Sequence, residues 1–101
     1  MKQSPPSQAT LKRYGLSKAE WKQMYKAQKG LCGVCQQEKR LVIDHEHAPG
    51  WKGMPPEKRK LYVRALCCSS CNHWVLGYRV TARLHRLAAE YLEAYEKRRP
   101  K

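Results

Sequence analysis

Four stretches of the chain carry an ordered hydrophobic pattern, and they predict two helices around a pair of strands. Between Ser17 and Lys29, the residues Trp21, Met24, Tyr25 and Gln28 recur on one side at helical spacing. Ser17 with Glu20 has the form of a capping box, and Gly30 stands where such a helix stops. Residues 40–44, Arg-Leu-Val-Ile-Asp, are a short apolar run that reads as a strand, and residues 61–66, Leu-Tyr-Val-Arg-Ala-Leu, read as its return. The last pattern is the clearest. Val80, Leu84, Leu87, Tyr91 and Tyr95 recur in steps of three and four, Ala88 and Leu92 widen the stripe, and a C-terminal helix is predicted from about residue 79. Arg79, Arg83, Arg86, Lys97, Arg98 and Arg99 decorate its ends and far face. The stripe is expected to face the core. A lesser reading packs Tyr91, Leu92 and Tyr95 across a two-fold axis, so both monomer and homodimer stay open.

The connecting segments are polar. Residues 1–10 contain Pro5 and Pro6 and predict a disordered arm, which leaves residues 11–101 as a single domain. Residues 46–60 hold Pro49, Gly50, Gly53, Pro55 and Pro56 among lysines and predict a long, basic, irregular loop. A domain of this length buries only a modest core, and such domains often lean on a metal or on disulfides.

Charge narrows the partner. Lys and Arg number 21 against 8 Asp and Glu, a net charge of +13. Neutralising phosphates releases counterions, so this excess favours nucleic acid. The bland alternatives are a soluble basic surface or attraction to an anionic membrane. There is no long apolar run, and the N-terminus MKQSPPSQAT has no apolar segment of a secretory signal, so a cytoplasmic setting without a membrane anchor is expected.

The cysteines number five, an odd count in a chain expected in a reducing compartment. Cys32 with Cys35 and Cys68 with Cys71 form two C-x-x-C pairs, 32 residues apart. Each pair can grip one ion from both ends of a tight turn. Four thiolates complete a tetrahedron with no open position, which predicts a structural zinc. Disulfides, a redox motif or buried apolar cysteines are the competing readings. Cys67 could be counted in place of Cys68, but only Cys68 leaves two residues before Cys71, so Cys67 is read as a small buried side chain.

A second constellation lies between the pairs. Asp44, His45, Glu46 and His47 end the first strand, and Asn72 follows the last thiol on the first turn of a short helix. Phosphodiester hydrolysis needs a base for water, a cation on the phosphate and stabilisation of the leaving oxygen. A neutral imidazole suits the first role. An Asp carboxylate with an Asn amide oxygen suits a magnesium ion. Strand alternation puts Asp44 and Glu46 on one face and His45 and His47 on the other, unless the strand breaks near His45. Alone, two histidines in a polar turn are ordinary surface residues.

The joint pattern resembles a family. Tyr14-Gly15-Leu16, the Cys32–Cys35 pair, Val42-Ile43-Asp44-His45-Glu46-His47, Val63-Arg64-Ala65-Leu66, the run from Cys68 to Asn72, and Leu76-Gly77 stand in the order of the phage recombination endonuclease VII family. That family is a branch of the H-N-H, or ββα-metal, nucleases, and the resemblance covers about residues 11–80. It implies a small α+β fold, a zinc-stapled ββα-metal core with N-terminal and C-terminal helices. It implies that His45 is the general base, that Asp44 and Asn72 ligate a catalytic magnesium or manganese, and that His47 contacts the phosphate or assists the metal. The cysteines would hold the zinc. The substrate would be DNA, nicked or cut at a junction or branch. Ala65 stands where Gly is common, and Val75 where some members carry an acidic residue.

Candidate phosphate contacts are Lys52, Lys58, Arg59 and Lys60 in the loop, with Arg64 on the return strand. The bland reading of Arg64 is a salt bridge to Glu46. Trp51 either stacks on a base or anchors the loop. No base-reading helix is evident, which predicts weak sequence preference. The rival functional readings are a non-catalytic zinc module binding DNA or RNA, and a protein-interaction knuckle.

Overall fold

The computed structural model describes residues 3–77 and 80–100. Arg79, expected at the start of the last helix, and residues 1 and 2 of the arm lie outside the described residues. The elements run α1 (Gln8–Arg13), α2 (Lys18–Ala27), β1 (Leu41–His45), α3 (Pro56–Arg59), β2 (Val63–Cys68), a wide π-type turn at Cys71–Val75, and α4 (Ala82–Arg98). Helix α2 starts as its sequence predicts. The Ser17 hydroxyl accepts from the Glu20 amide at 3.1 Å, and the Glu20 carboxylate accepts from the Ser17 amide at 2.9 Å. The helix ends through left-handed Lys29 and Gly30, and the Gly30 amide returns to the Tyr25 carbonyl at 3.0 Å.

Strands β1 and β2 pair antiparallel, Leu41 opposite Cys68 and Ile43 opposite Leu66. A two-stranded sheet leaves both outer edges unpaired. Here side-chain amides take the place of neighbouring strands. Gln28 donates to the Leu66 carbonyl at 2.8 Å and accepts from the Leu66 amide at 2.9 Å. Gln3 does the same for Leu41 on the other edge, at 2.8 Å in both directions. Gln3, within the stretch expected to be a disordered arm, thus supplies the hydrogen bonds that Leu41 would otherwise lack.

The core is built from Leu11, Leu16, Trp21, Tyr25, Leu41, Ile43, Leu66 and Cys67, with Trp21 and Leu66 fully enclosed. Trp21 stacks on Tyr25 at 5.1 Å. Helix α4 is a correction to the sequence reading. Residues 81–100 are exposed throughout, including Leu84, Leu87, Tyr91, Leu92 and Tyr95. Helices α1 and α2 already close the core over the sheet, so the α4 stripe has no part in it. A hydrogen bond of 2.7 Å between His85 Nε2 and the Val75 carbonyl links α4 to the preceding turn.

The segment from 46 to 60 is less irregular than expected, since Trp51–Gly53 and Pro56–Arg59 both coil. It docks on the bend after α1. Gly15 has a φ of 71°, and a Cβ there would lie 2.1 Å from the Pro56 carbonyl oxygen. Gly50 shares the left-handed backbone with a φ of 76° but has open space around it. Gly15→Ala should therefore combine backbone strain with overpacking and destabilise the fold by about 2–4 kcal/mol. Gly50→Ala should cost about 1 kcal/mol. Urea unfolding of the zinc-loaded chains measures both; equal losses would show that the α1–loop contact contributes nothing.

Candidate functional site

The four paired cysteines converge. The sulfurs of Cys32, Cys35, Cys68 and Cys71 all lie within 4.8 Å of one another, with Cys35 and Cys68 at 4.0 Å. A tetrahedral zinc with thiolate bonds of about 2.3 Å needs sulfurs about 3.8 Å apart, so the cluster can hold one ion with little adjustment. The knuckle backbone aims donors at Cys32 Sγ, from Val34 at 3.4 Å and from Cys68 at 3.3 Å. Burial pushes the Cys32 thiol up, but these amides and that of Cys35 outweigh it and hold it at about 6. Thiolate character is what a zinc ligand requires. Burial is the first cause that pushes Cys71 up to about 12, and Cys67 likewise, so place rather than acidity sets Cys67 apart. It stands outside the sulfur cluster, a buried thiol of the core.

Strand β1 runs unbroken to His45, and the irregularity lies in its partner. Asp44 pairs with Ala65 but His45 pairs with Val63, so Arg64 is the extra residue of a bulge in β2. Asp44 is 2% exposed. Arg64 grips it with both arms, Nε on Oδ2 at 2.7 Å and Nη2 on Oδ1 at 2.9 Å. The sequence pointed to Glu46 as the ionic partner of Arg64; the bulge turns the guanidinium to Asp44 instead. Nη2 also reaches the His45 carbonyl at 3.3 Å.

His45 is half-buried in an aromatic wall. Its ring stacks on Trp51 at 4.1 Å and 20°, with Tyr14 at 5.4 Å and His47 at 5.1 Å. Burial lowers its pKa, helped by the charge of His47 and opposed by that of Asp44. The imidazole is thus kept neutral near neutral pH, able to accept a proton. His47 and Glu46 are exposed at the rim. Trp51 takes the anchoring role of its two readings, because Arg59 Cζ also sits 4.7 Å over its ring.

Asn72 lies on the π-type turn directly after Cys71. Its side chain makes no hydrogen bond among the described residues. It lines an open hollow of about 1280 Å³ with Val42, Ile43 and Tyr14, a hollow that neither Asp44 nor His45 lines. Asp44 is directed at Arg64, and no contact joins it to Asn72.

The candidate phosphate contacts divide. Lys52 and Lys58 are exposed, and their side chains are without partners among the described residues. Arg59 is a clamp, donating to the carbonyls of Trp51 at 3.2 Å, Arg13 at 3.1 Å and Lys52 at 2.6 Å. Lys60 forms an ion pair with Glu20 and holds that carboxyl below its ordinary pKa. Sequence reasoning missed these commitments, together with Gln28 and Gln3, because each joins residues far apart in the chain. Tyr14 could have been found: it opens the Tyr14-Gly15-Leu16 motif, which is where the loop docks.

These features define a small α+β domain with a two-stranded sheet, a four-thiol joint and a carboxylate–imidazole pair at a strand bulge. The chain belongs to the recombination endonuclease VII family, whose model matches residues 7–94. It is 36% identical over 87 residues to the Gene 59 protein of Mycobacterium phage L5, covering 81% of this chain and 46% of that protein. It is 35% identical over 72 residues to the Gene 59 protein of Mycobacterium phage D29, covering 67% of this chain and 37% of that protein. The chain thus spans less than half the length of these relatives. No solved structure matches it. Among the described residues no helix is long and apolar enough to cross a membrane.

The two buried thiols next to each other in β2 give a sharp check. Cys68→Ser should lose the bound zinc, whereas Cys67→Ser should retain about one ion per chain. Metal analysis of the purified variants reads the difference, and zinc loss only with Cys67→Ser would reverse the ligand assignment.

Proposed function

We propose that this chain is a metal-dependent DNA endonuclease with a zinc-stapled ββα-metal core. The observation that carries the reading is the pairing at the bulge: a half-buried His45 with a lowered pKa directly follows a buried Asp44 in a chain of net charge +13. His45 takes the proton from the attacking water. Packing against Trp51 and Tyr14 restricts its ring. Asp44 and Asn72 offer the hard oxygen donors that magnesium or manganese prefers, and the Asn72 amide has no hydrogen-bond partner among the described residues to compete for it. That ion would supply charge neutralisation at the scissile phosphate and stabilise the leaving oxygen. His47, exposed beside His45, would donate to a phosphate oxygen. The zinc on Cys32, Cys35, Cys68 and Cys71 has no open position and takes no part in the chemistry.

DNA binding in this reading is mostly electrostatic, weak in sequence preference and strongly dependent on salt. Exposed Lys52 and Lys58 are the loop cations best placed to meet phosphate. Nicks, double-strand cuts and branched substrates all remain within the chemistry described, and comparing a four-way junction with linear duplex separates them. The alternative, a zinc module that binds DNA or RNA without cutting, has no use for a neutral base beside a buried carboxylate.

A plasmid-nicking assay tests the proposal. The zinc-loaded chain should cut with magnesium or manganese and stop with EDTA. His45→Ala should lose cleavage by about 100-fold or more while keeping its DNA affinity. No cleavage by the wild type with either metal would leave the binding module as the correct reading. Undiminished cleavage by His45→Ala would remove His45 from the mechanism.

A further inference from the structure

Asp44 and Arg64 form an ion pair whose two halves differ sharply in freedom. The Asp44 side chain is 3% exposed and both its oxygens are engaged by the guanidinium. The Arg64 side chain is 42% exposed and stands on a bulge, so it can swing into water without disturbing the ladder on either side. No other Lys or Arg side chain contacts Asp44 among the described residues. A carboxylate this deeply enclosed cannot be left bare without a heavy desolvation penalty. A divalent ion approaching Asp44 must therefore arrive as Arg64 departs.

We propose that Arg64 is the resting cation of Asp44, exchanged for the divalent ion when a DNA phosphate draws the guanidinium away. This rests on the reading of Asp44 as a ligand of the catalytic metal. Arg64 is then a competitor in the free protein and a phosphate contact in the complex. The fork geometry that fills both carboxylate oxygens is the same geometry that suits a phosphate, so the guanidinium exchanges one bidentate anion for another. Two consequences follow from linkage. Metal binds weakly to the protein alone and more tightly with DNA present, and DNA binds more tightly with metal present by the same factor. Contact with the His45 carbonyl ties the exchange to the base, because the departing guanidinium also releases that carbonyl.

The test is a titration of the zinc-loaded full chain with Mn²⁺, following free Mn²⁺ by electron paramagnetic resonance, so that no turnover is needed. Arg64→Gln should bind Mn²⁺ about tenfold more tightly than wild type, within the range typical of coupled sites. Arg64→Lys keeps a positive charge beside the buried carboxylate and so protects folding. It lacks the fork, and should bind more tightly than wild type by a smaller factor. Lys22→Gln, which removes an exposed charge on α2, should leave Mn²⁺ affinity unchanged. In a His45→Ala background, which leaves DNA uncut, added duplex should tighten Mn²⁺ binding more with Arg64 present than with Arg64→Gln. Wild-type affinity in both Arg64 variants, with binding abolished by Asp44→Asn, would overturn the exchange while sparing Asp44 as the ligand. Equal gains from Lys22→Gln and Arg64→Gln would also overturn it, reducing the effect to net charge. Mn²⁺ binding that survives Asp44→Asn unchanged would instead remove the metal reading on which the exchange rests.

Discussion

Four sulfur atoms drawn within 4.8 Å of one another are the constraint on which the rest of this structure depends. They join the turn after α2, the end of β2 and the π-type turn into one node. A two-stranded sheet has little stability by itself, and a chain of 101 residues has little apolar surface to add. The node turns that weakness into a defined shape. It fixes which end of β2 is anchored, and thereby the register in which Leu41 meets Cys68 and Ile43 meets Leu66. The glutamine amides of Gln3 and Gln28 then close the sheet edges that the short chain has no strands to cover. The affinity of a metal held by these thiols would be coupled to folding stability, since the thiols are gathered only in the folded chain.

The node sits at one end of the sheet and the bulge at the other. Regular alternation would have sent Asp44 and His45 to opposite faces with nothing to relate them. One extra residue in the partner strand changes that. Arg64 occupies the extra position, binds the Asp44 carboxylate and touches the His45 carbonyl, so a single side chain relates the carboxylate to the imidazole-bearing residue. The aromatic wall of Tyr14 and Trp51 supplies the second restraint. It is itself held by Arg59, which binds the carbonyls of Trp51 and Lys52 within the loop and that of Arg13 on α1. The imidazole is positioned by packing and the carboxylate by charge, and each would be poorly defined if its neighbour in the other system moved.

Local and periodic features were legible in the sequence. The capping box of α2, the two cysteine pairs and the apolar runs of both strands each signal through residues a few positions apart. The features that were not legible join distant residues without any local signature. Nothing around Gln28 or Gln3 marks a side chain that will serve as a missing strand. Arg59 and Lys60 carry the composition of phosphate contacts, yet their charges are spent on carbonyls and on Glu20. Arg64 was read as a phosphate contact or an ion pair with Glu46, and its pairing with Asp44 across the bulge was in neither reading. The stripe on α4 shows the limit of periodicity as an argument. Amphipathic spacing predicts the helix correctly, but burial requires apolar surface to meet it, and Trp21 and Leu66 are fully buried while Leu84, Leu87 and Tyr91 stay exposed.

The redistribution of charge alters how a polyanion would meet this protein. The sequence concentrates attention on the loop, where lysines and arginines are dense. In the structure much of that loop is a braced wall, with two of its four candidate cations turned to internal use. The remaining excess is spread over exposed helix surfaces, at Lys12, Lys18, Lys22 and Lys26, and at Arg83 and Arg86. A field produced by scattered charges attracts phosphate over a broad area and selects no particular sequence. Selectivity would then have to arise at the bulge, where Arg64 must choose between a carboxylate and a phosphate of nearly the same shape. In the proposed exchange, distributed charge would gather the polyanion, and one bidentate choice at the strand break would decide whether the site is assembled around it.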